Sequence, residues 1–311
     1  MAASTTQAAC RFAAPHHHAA PANLSEFLDL GRDLGVRGDK GGRFPALGRA
    51  LRPQYAAAVP FPHMIIDDLF AREALARVAA ELPEQMNPKT GCIHGAKHWN
   101  CYARPNFEYR KSTISQAKNM GPATKRLLTF LRSAPFVNFL EKVSGIPCLA
   151  PDPSFEGAGV HLTGNGGYLQ LHADFNRDVK HHLFRRVNTF IFLNGAPWPD
   201  EYGGHLELWN RNLTSCEQRI APTFGRFVVF SSNDFSYHGH PKPLKLPPDR
   251  MRRSIAYYYY TREPHAASEC LASDCINASR HSTLWQKPVG CNACQQRACR
   301  RYSSEQVPSS W

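Results

Sequence analysis

The second half of the chain is cut into short apolar runs by turn residues, and that punctuation limits the fold more than any other feature. Residues 157–162, 168–173, 187–193, 205–209, 226–231 and 252–261 read as strands. The separators are rich in Gly, Pro, Asn and Asp, as in Gly164-Asn165-Gly166-Gly167 and in 194–204 and 241–249. Many short strands at this spacing predict a sandwich or jelly-roll barrel, not a parallel α/β sheet. No period of roughly 20–50 residues repeats, so solenoids and propellers are excluded.

Ahead of these strands, 59–145 reads mainly as a helical layer. Pro60 to Ile66 forms a short strand, and Asp67-Asp68 can cap a helix over 71–82, with Leu75, Val78 and Leu82 on one face. Pro122 opens another helix, and Gly145 ends the stretch that carries Phe136, Phe139, Leu140 and Val143. Apolar residues are 42% of the 311, enough to bury a core, and no run approaches the ~18 apolar residues of a membrane helix. Ten cysteines are too few for a small disulfide scaffold.

The first 25 residues hold nine alanines, the triplet His16–His18 and no acid. We expect 1–54 to be a disordered leader, compatible with an organelle transit peptide. The helical layer and first strands then occupy 55–149, the barrel core 150–262, and a cysteine-containing appendage 263–311. The expected chain is soluble and intracellular, and its oligomeric state is open. The net charge is +12, and Lys97 to Arg132 holds eight basic residues against the single acid Glu108. Such a stripe can attract nucleic acid, but a solvated helical face is the simpler reading.

The chemistry centres on His172-Ala173-Asp174. Residues i and i+2 of a strand leave the same face, so these two side chains can grip one ion. A further histidine comes from a distant strand in Tyr237-His238-Gly239-His240. His240 stays as an alternative, although its bond into Pro241 favours a turn. Two imidazoles and one carboxylate on one face leave three metal positions open, which suits non-haem Fe(II) and O2. Arg252-Arg253-Ser254 follows at the head of the last strand. Alternation sends Arg252, Ser254, Ala256 and Tyr258 to one face, and Arg253, Ile255, Tyr257 and Tyr259 to the other. A planar guanidinium inside a barrel is an anchor for a dicarboxylate.

With these residues in order, the chain resembles the 2-oxoglutarate/Fe(II)-dependent oxygenases, in particular their prolyl 4-hydroxylase-like branch. Phe192-Leu193-Asn194, Trp198, Tyr202 to Trp209, Pro222, Gly225-Arg226 and Ser236 to Pro241 extend the likeness from about Pro60 to Arg262. The resemblance implies a mainly β double-stranded β-helix (jelly roll, cupin-like) with helices on one side. It implies Fe(2+) on His172, Asp174 and His238, with 2-oxoglutarate on Arg252 and Ser254. O2 would be the co-substrate and L-ascorbate the reductant. Oxidative decarboxylation to succinate would be coupled to hydroxylation of a C–H bond in a peptide or small molecule. Asp174 supports hydroxylation, since related halogenases lack the carboxylate. Many relatives have Tyr where Phe192 stands, which removes one hydrogen bond to the co-substrate. Nucleic-acid demethylation and a non-catalytic metal-binding barrel are the alternatives. Demethylases carry a second Arg where Tyr258 or Tyr259 stands, so nucleic acid is not the expected substrate.

Outside this set, Cys92, His94, His98 and Cys101 could hold zinc but read as an ordinary loop. Cys270, Cys275, Cys291, Cys294 and Cys299 leave zinc, disulfides and free thiols all open. His161 and His205 read as packed, and His181-His182 as an exposed loop.

Overall fold

The computed structural model describes residues 43–87, 89, 93, 100–104, 106–195, 197–269 and 282–286. The chain begins with α1 (Arg43–Ala57), β1 (His63–Ile66) and α2 (Arg72–Ala80). A hairpin follows, β2 (Asn100–Arg104) and β3 (Glu108–Ile114), then α3 (Pro122–Leu131) and α4 (Ala134–Ser144). The barrel strands are β4 (Ala150–Pro151), β5 (Gly159–Ala173), β6 (Arg177–Asp178), β7 (Leu183–Phe192), β8 (Leu206–Trp209), β9 (Cys216–Ile220), β10 (Phe227–Ser231), β11 (His238–His240) and β12 (Arg252–Thr261). A last strand, β13 (Leu284–Trp285), returns to the edge of β5.

The sheet order is β1-β10-β7-β12-β5-β11-β8-β9, and every strand pairing is antiparallel. The sheet curls into the expected double-stranded β-helix, with the helices against one face. Strand alternation decides which residues meet them. In β10, Phe227 and Val229 join the large core with Leu75, Phe136 and Phe139, while Val228 and Phe230 enter an inner core with Phe61, Phe192 and Leu208. Phe70 and Phe136 sit 5.7 and 6.0 Å from the Phe227 ring, interleaving helix and sheet aromatics. On β12, Ile255, Tyr257 and Tyr259 belong to the helix-facing core, and the Tyr259 hydroxyl donates to Leu131 O (2.8 Å).

Four differences from the sequence reading have identifiable causes. The 54/55 boundary falls inside α1, whose Leu47 and Tyr55 are buried; Phe44 stacks on Phe139 at 4.3 Å. Residues 43–54 are therefore part of the core. Their helix hides in a Gly/Arg-rich, weakly periodic stretch with Pro53 inside it. Residues 1–42 lie outside the described residues.

The 100–114 segment, expected within a helical layer, is the hairpin β2–β3, which extends β5. Asp67-Asp68 does not cap α2: Asp67 takes a bidentate pair from Arg226 (2.7 and 2.8 Å), and the N-cap position is Ala71. A helix start in the layer is capped by Glu81, whose carboxylate accepts from the Ala123 and Thr124 backbone N–H groups at the start of α3. Lastly, the glycine cluster 164–167 falls inside β5, but the β3 ladder passes from Thr163 to Tyr168 and leaves these four residues as a bulge, with Gly166 at φ +75°.

Candidate metal centre and co-substrate pocket

His172 lies near the end of β5 and His238 at the start of β11, and the ladder sets them directly opposite each other. Paired residues share a face, so both rings project into the barrel mouth, 4.4 Å apart. Asp174 completes the group. Its Oδ1 is 3.6 Å from His172 Nε2 and its Oδ2 is 3.5 Å from His238 Nε2. One ligand atom from each of the three lies within 4.8 Å of the others.

The outer nitrogens fix the tautomers. His172 Nδ1 donates to Gln170 O (2.8 Å) and His238 Nδ1 to Ser236 O (2.9 Å), so each Nε2 keeps its lone pair for the shared space. Burial, reinforced by His172, pushes the His238 imidazole down to about 4, which keeps it neutral and able to ligate. Burial alone would raise the Asp174 pKa, but Arg185 and the two histidines outweigh it and hold the carboxyl well below its usual range. Two neutral imidazoles and a carboxylate are the donor set of a facial Fe(II) site, so these residues fit the metal.

Asp174 is held by two residues that the sequence reading missed. Arg185 Nη2 lies 3.0 Å from Oδ2, and Asn188 Nδ2 donates to the same oxygen at 2.6 Å. Arg185 Nε also donates to Asn188 Oδ1 (2.8 Å), and its guanidinium stands 3.4 Å from the centre of the Tyr258 ring. Three residues apart on a regular strand, these side chains would face opposite ways. Tyr259 pairs with Val187 and Tyr260 with Arg185, leaving Arg186 as the extra residue of a bulge that restores a common face. A charged residue inside the run Leu183 to Phe192 was the signal available, but the bulge is invisible in sequence.

Arg252 and Ser254 face inward, as alternation predicted. Arg252 is buried, its guanidinium is 5.0 Å from the centre of the Phe192 ring, and its Nε donates to Gly204 O (2.6 Å). It has no carboxylate partner among the described residues, and burial alone pushes its pKa down to about 9. The Ser254 hydroxyl is buried without a hydrogen-bond partner. A buried unpaired cation beside an orphaned hydroxyl is a site for an anion, so the pair fits a dicarboxylate. Ser254 stands across the ladder from His161, which lines the metal-side cavity and donates through Nε2 to Gly157 O. Arg253 is half-buried on the other face.

A cavity of about 290 Å³ opens over His172, Asp174 and His238. Aromatic walls come from Tyr102, Phe175, Phe190, Tyr258 and Trp285, and charge from Arg104, Glu108 and Lys111. Residues 158–260, which hold all five site candidates, match the family model described as the 2OG-Fe(II) oxygenase superfamily. That stretch is thus similar to the domain of this superfamily. The match supports an Fe(II)- and 2-oxoglutarate-dependent dioxygenase, and a domain of this kind implies Fe(2+), 2-oxoglutarate and O2.

Among solved structures, a Pseudomonas putida prolyl-4-hydroxylase is similar at 16% identity, with 70% of this chain and 100% of that one covered and a TM-score of 0.47. A prolyl hydroxylase from Trichoplax adhaerens, solved with a hypoxia inducible factor peptide fragment, is 16% identical over 72% and 94% of the two chains, at 0.48. HygX from Streptomyces hygroscopicus, solved with nickel, 2-oxoglutarate and hygromycin B, is 12% identical over 72% and 92%, at 0.40. The comparison with curated proteins gives no match.

The remaining histidines separate cleanly. His240 is buried, but a register shift follows His238, and His240 is not among the three side chains whose ligand atoms gather. His205 packs with its Nε2 3.1 Å from Asp200, and His181 and His182 are exposed, as expected. Cys101 is disulfide-bonded, as are Cys148 and Cys216. The other members of the Cys92–Cys101 group, except Cys101 itself, and all five tail cysteines lie outside the described residues. None of the described helices is long and apolar enough to cross a membrane.

Proposed function

We propose that the protein hydroxylates a prolyl residue of a peptide, with Fe(2+) held by His172, Asp174 and His238 and the far carboxylate of 2-oxoglutarate held by Arg252 and Ser254. The observation that carries this reading is a three-ligand cluster and a buried cation without an anion among the described residues, both within the matched region. When bound, the iron supplies the oxidising chemistry, coupling decarboxylation of 2-oxoglutarate to insertion of one oxygen atom of O2 into a C–H bond. This chain's residues orient and exclude. Gln170 and Ser236 carbonyls fix the imidazoles, Arg185 and Asn188 fix the carboxylate, and the aromatic walls keep water from the reacting carbon.

The prolyl preference rests on the branch motifs in the sequence and on the aromatic cavity, which suits a saturated ring. Ascorbate serves as reductant in this reading. Disulfide-bonded Cys101, Cys148 and Cys216 support residence in an oxidising compartment over a reducing cytosol. The basic residues support no nucleic-acid surface. Arg104 and Lys111 are paired to Glu108 at the cavity, whereas Lys125 and Arg126 lie on α3.

The test is succinate release with Fe(II), ascorbate and 2-oxoglutarate, read alongside hydroxyproline in a proline-rich peptide. His172→Ala, Asp174→Ala and His238→Ala should each abolish both signals while thermal melts remain cooperative. Activity that survives His238→Ala but not His240→Ala would reassign the distal ligand.

A further inference from the structure

The cavity wall includes a piece of chain from beyond the matched region. Strand β13 pairs antiparallel with the end of β5, with Leu284 opposite Ala173 and Trp285 opposite His172. Gln286 N donates to Leu171 O (2.8 Å), which extends the ladder. On this side β3 stops pairing at Leu169, so β13 occupies the stretch of β5 edge that β3 leaves free, beside the metal ligand.

Directly opposed residues present their side chains to the same face. Trp285 therefore projects on the side of the metal cluster, not toward the outside of the barrel. Its ring lies 4.9 Å from the His172 ring and 5.1 Å from Phe107. It remains half-buried, and Thr283, two residues earlier and so on the same face, also lines the cavity. The nearby charges are already matched, since Arg104 and Lys111 both bond Glu108. What the cavity offers next to His172 is thus a broad aromatic surface.

We infer that Trp285 is a substrate-positioning residue, holding the saturated ring of a peptidyl proline against its indole face beside the metal ligands. The inference rests on the prolyl reading above and deepens it by assigning the substrate side of the pocket to the C-terminal segment. A flat aromatic face can pack against ring C–H groups without demanding a hydrogen bond that the substrate ring cannot give. Register with His172 fixes the distance of that face from the reacting position, as a loop residue would not.

The experiment uses the full chain with poly-L-proline as probe, measuring hydroxyproline and succinate together. For Trp285→Ala, the KM for poly-L-proline should rise roughly three- to tenfold, the scale of one lost aromatic contact. Hydroxyproline formed per succinate should fall, and Trp285→Phe should recover most of both. The KM for 2-oxoglutarate should not follow, because Arg252 and Ser254 lie on β12, away from β13. If Trp285→Ala is recovered unfolded by circular dichroism, Trp285→Leu gives the same two readings. Wild-type values of peptide KM and coupling in these variants would overturn the inference, and so would a rise confined to the KM for 2-oxoglutarate. A wild-type chain that releases iron-dependent succinate without forming hydroxyproline overturns the prolyl reading and this inference with it. A wild-type chain that releases none overturns the assignment of the site itself.

Discussion

Arg252 and Arg253 are neighbours of the same type with opposite fates, decided by strand alternation. Arg252 is buried over Phe192 with no carboxylate partner among the described residues, and Arg253 is half-buried outside the barrel. Losing a charge-assisted bidentate contact costs about 2–4 kcal/mol, so Arg252→Ala should raise the KM for 2-oxoglutarate roughly 30- to 1000-fold. Arg253→Ala should change it only a few-fold. Steady-state kinetics on both variants checks this, and equal sensitivity would contradict the observed register.

Arg185 poses a different question at the same scale. It is almost fully buried, and its partner is the carboxylate of Asp174. Arg185→Met keeps much of the bulk and removes the charge. It should weaken Fe(II) affinity about 10- to 100-fold, with the loss partly offset at higher iron. Titration of activity against iron would distinguish this from a folding defect, which added iron would not repair.

At the level of elements, close backbone approach and buried charge set the tolerances. Gly159 opens β5 at φ +112°, and a Cβ there would stand 2.1 Å from Ile114 O on β3. Gly159→Ala should destabilise the chain by about 2–4 kcal/mol, read from denaturant midpoints, because neither the strained φ nor the paired backbone can yield cheaply. Asp152, just after β4, accepts from the Ser154 and Phe155 N–H groups through one oxygen and leaves the other unpartnered. Burial pushes its carboxyl from 3.8 up to about 6. A carboxyl whose pKa is higher folded than unfolded favours the fold most below the unfolded value. That contribution is lost as the pH rises through about 6. Asp152→Asn should therefore flatten the decline in stability between about pH 4 and pH 6, as urea midpoints across that range would show.

For the molecule as a whole, the helical layer is structural support for the barrel and α1 is part of it. The Tyr55 hydroxyl hydrogen-bonds the Ser231 hydroxyl on β10 (2.8 Å), and Phe44 and Leu47 pack against α4 residues and the rest of the large core. Truncation at residue 42 should leave these contacts, whereas truncation at residue 58 should lower the melting temperature sharply or give insoluble protein. Tyr55→Phe alone should cost about 1 kcal/mol. Helix α1, Arg43–Ala57, thus corrects the expectation of a disordered leader through residue 54.

The amino-acid order by itself placed the candidate metal and co-substrate residues on common faces, because that information is local. His172 and Asp174 share a face by the two-residue period, the Arg252–Ser254 face follows from the same rule, and turn residues announce the barrel strands. Alternation even assigned Ile255, Tyr257 and Tyr259 to the helix-facing core. What only the tertiary structure decided depends on contacts between residues far apart in the chain, or on departures from ideal alternation. The bulge at Arg186 turns Arg185 onto the face of Asn188, where both reach Asp174. The register shift in β11 separates His238 from His240, a choice the sequence left open between two histidines of one short strand. Strand β13 returns from the tail to set Trp285 opposite His172, although 112 residues lie between them in the chain. No local pattern encodes that pairing, since two residues added to a free sheet edge carry almost no periodicity, and their place is fixed by the backbone groups that β3 leaves unpaired.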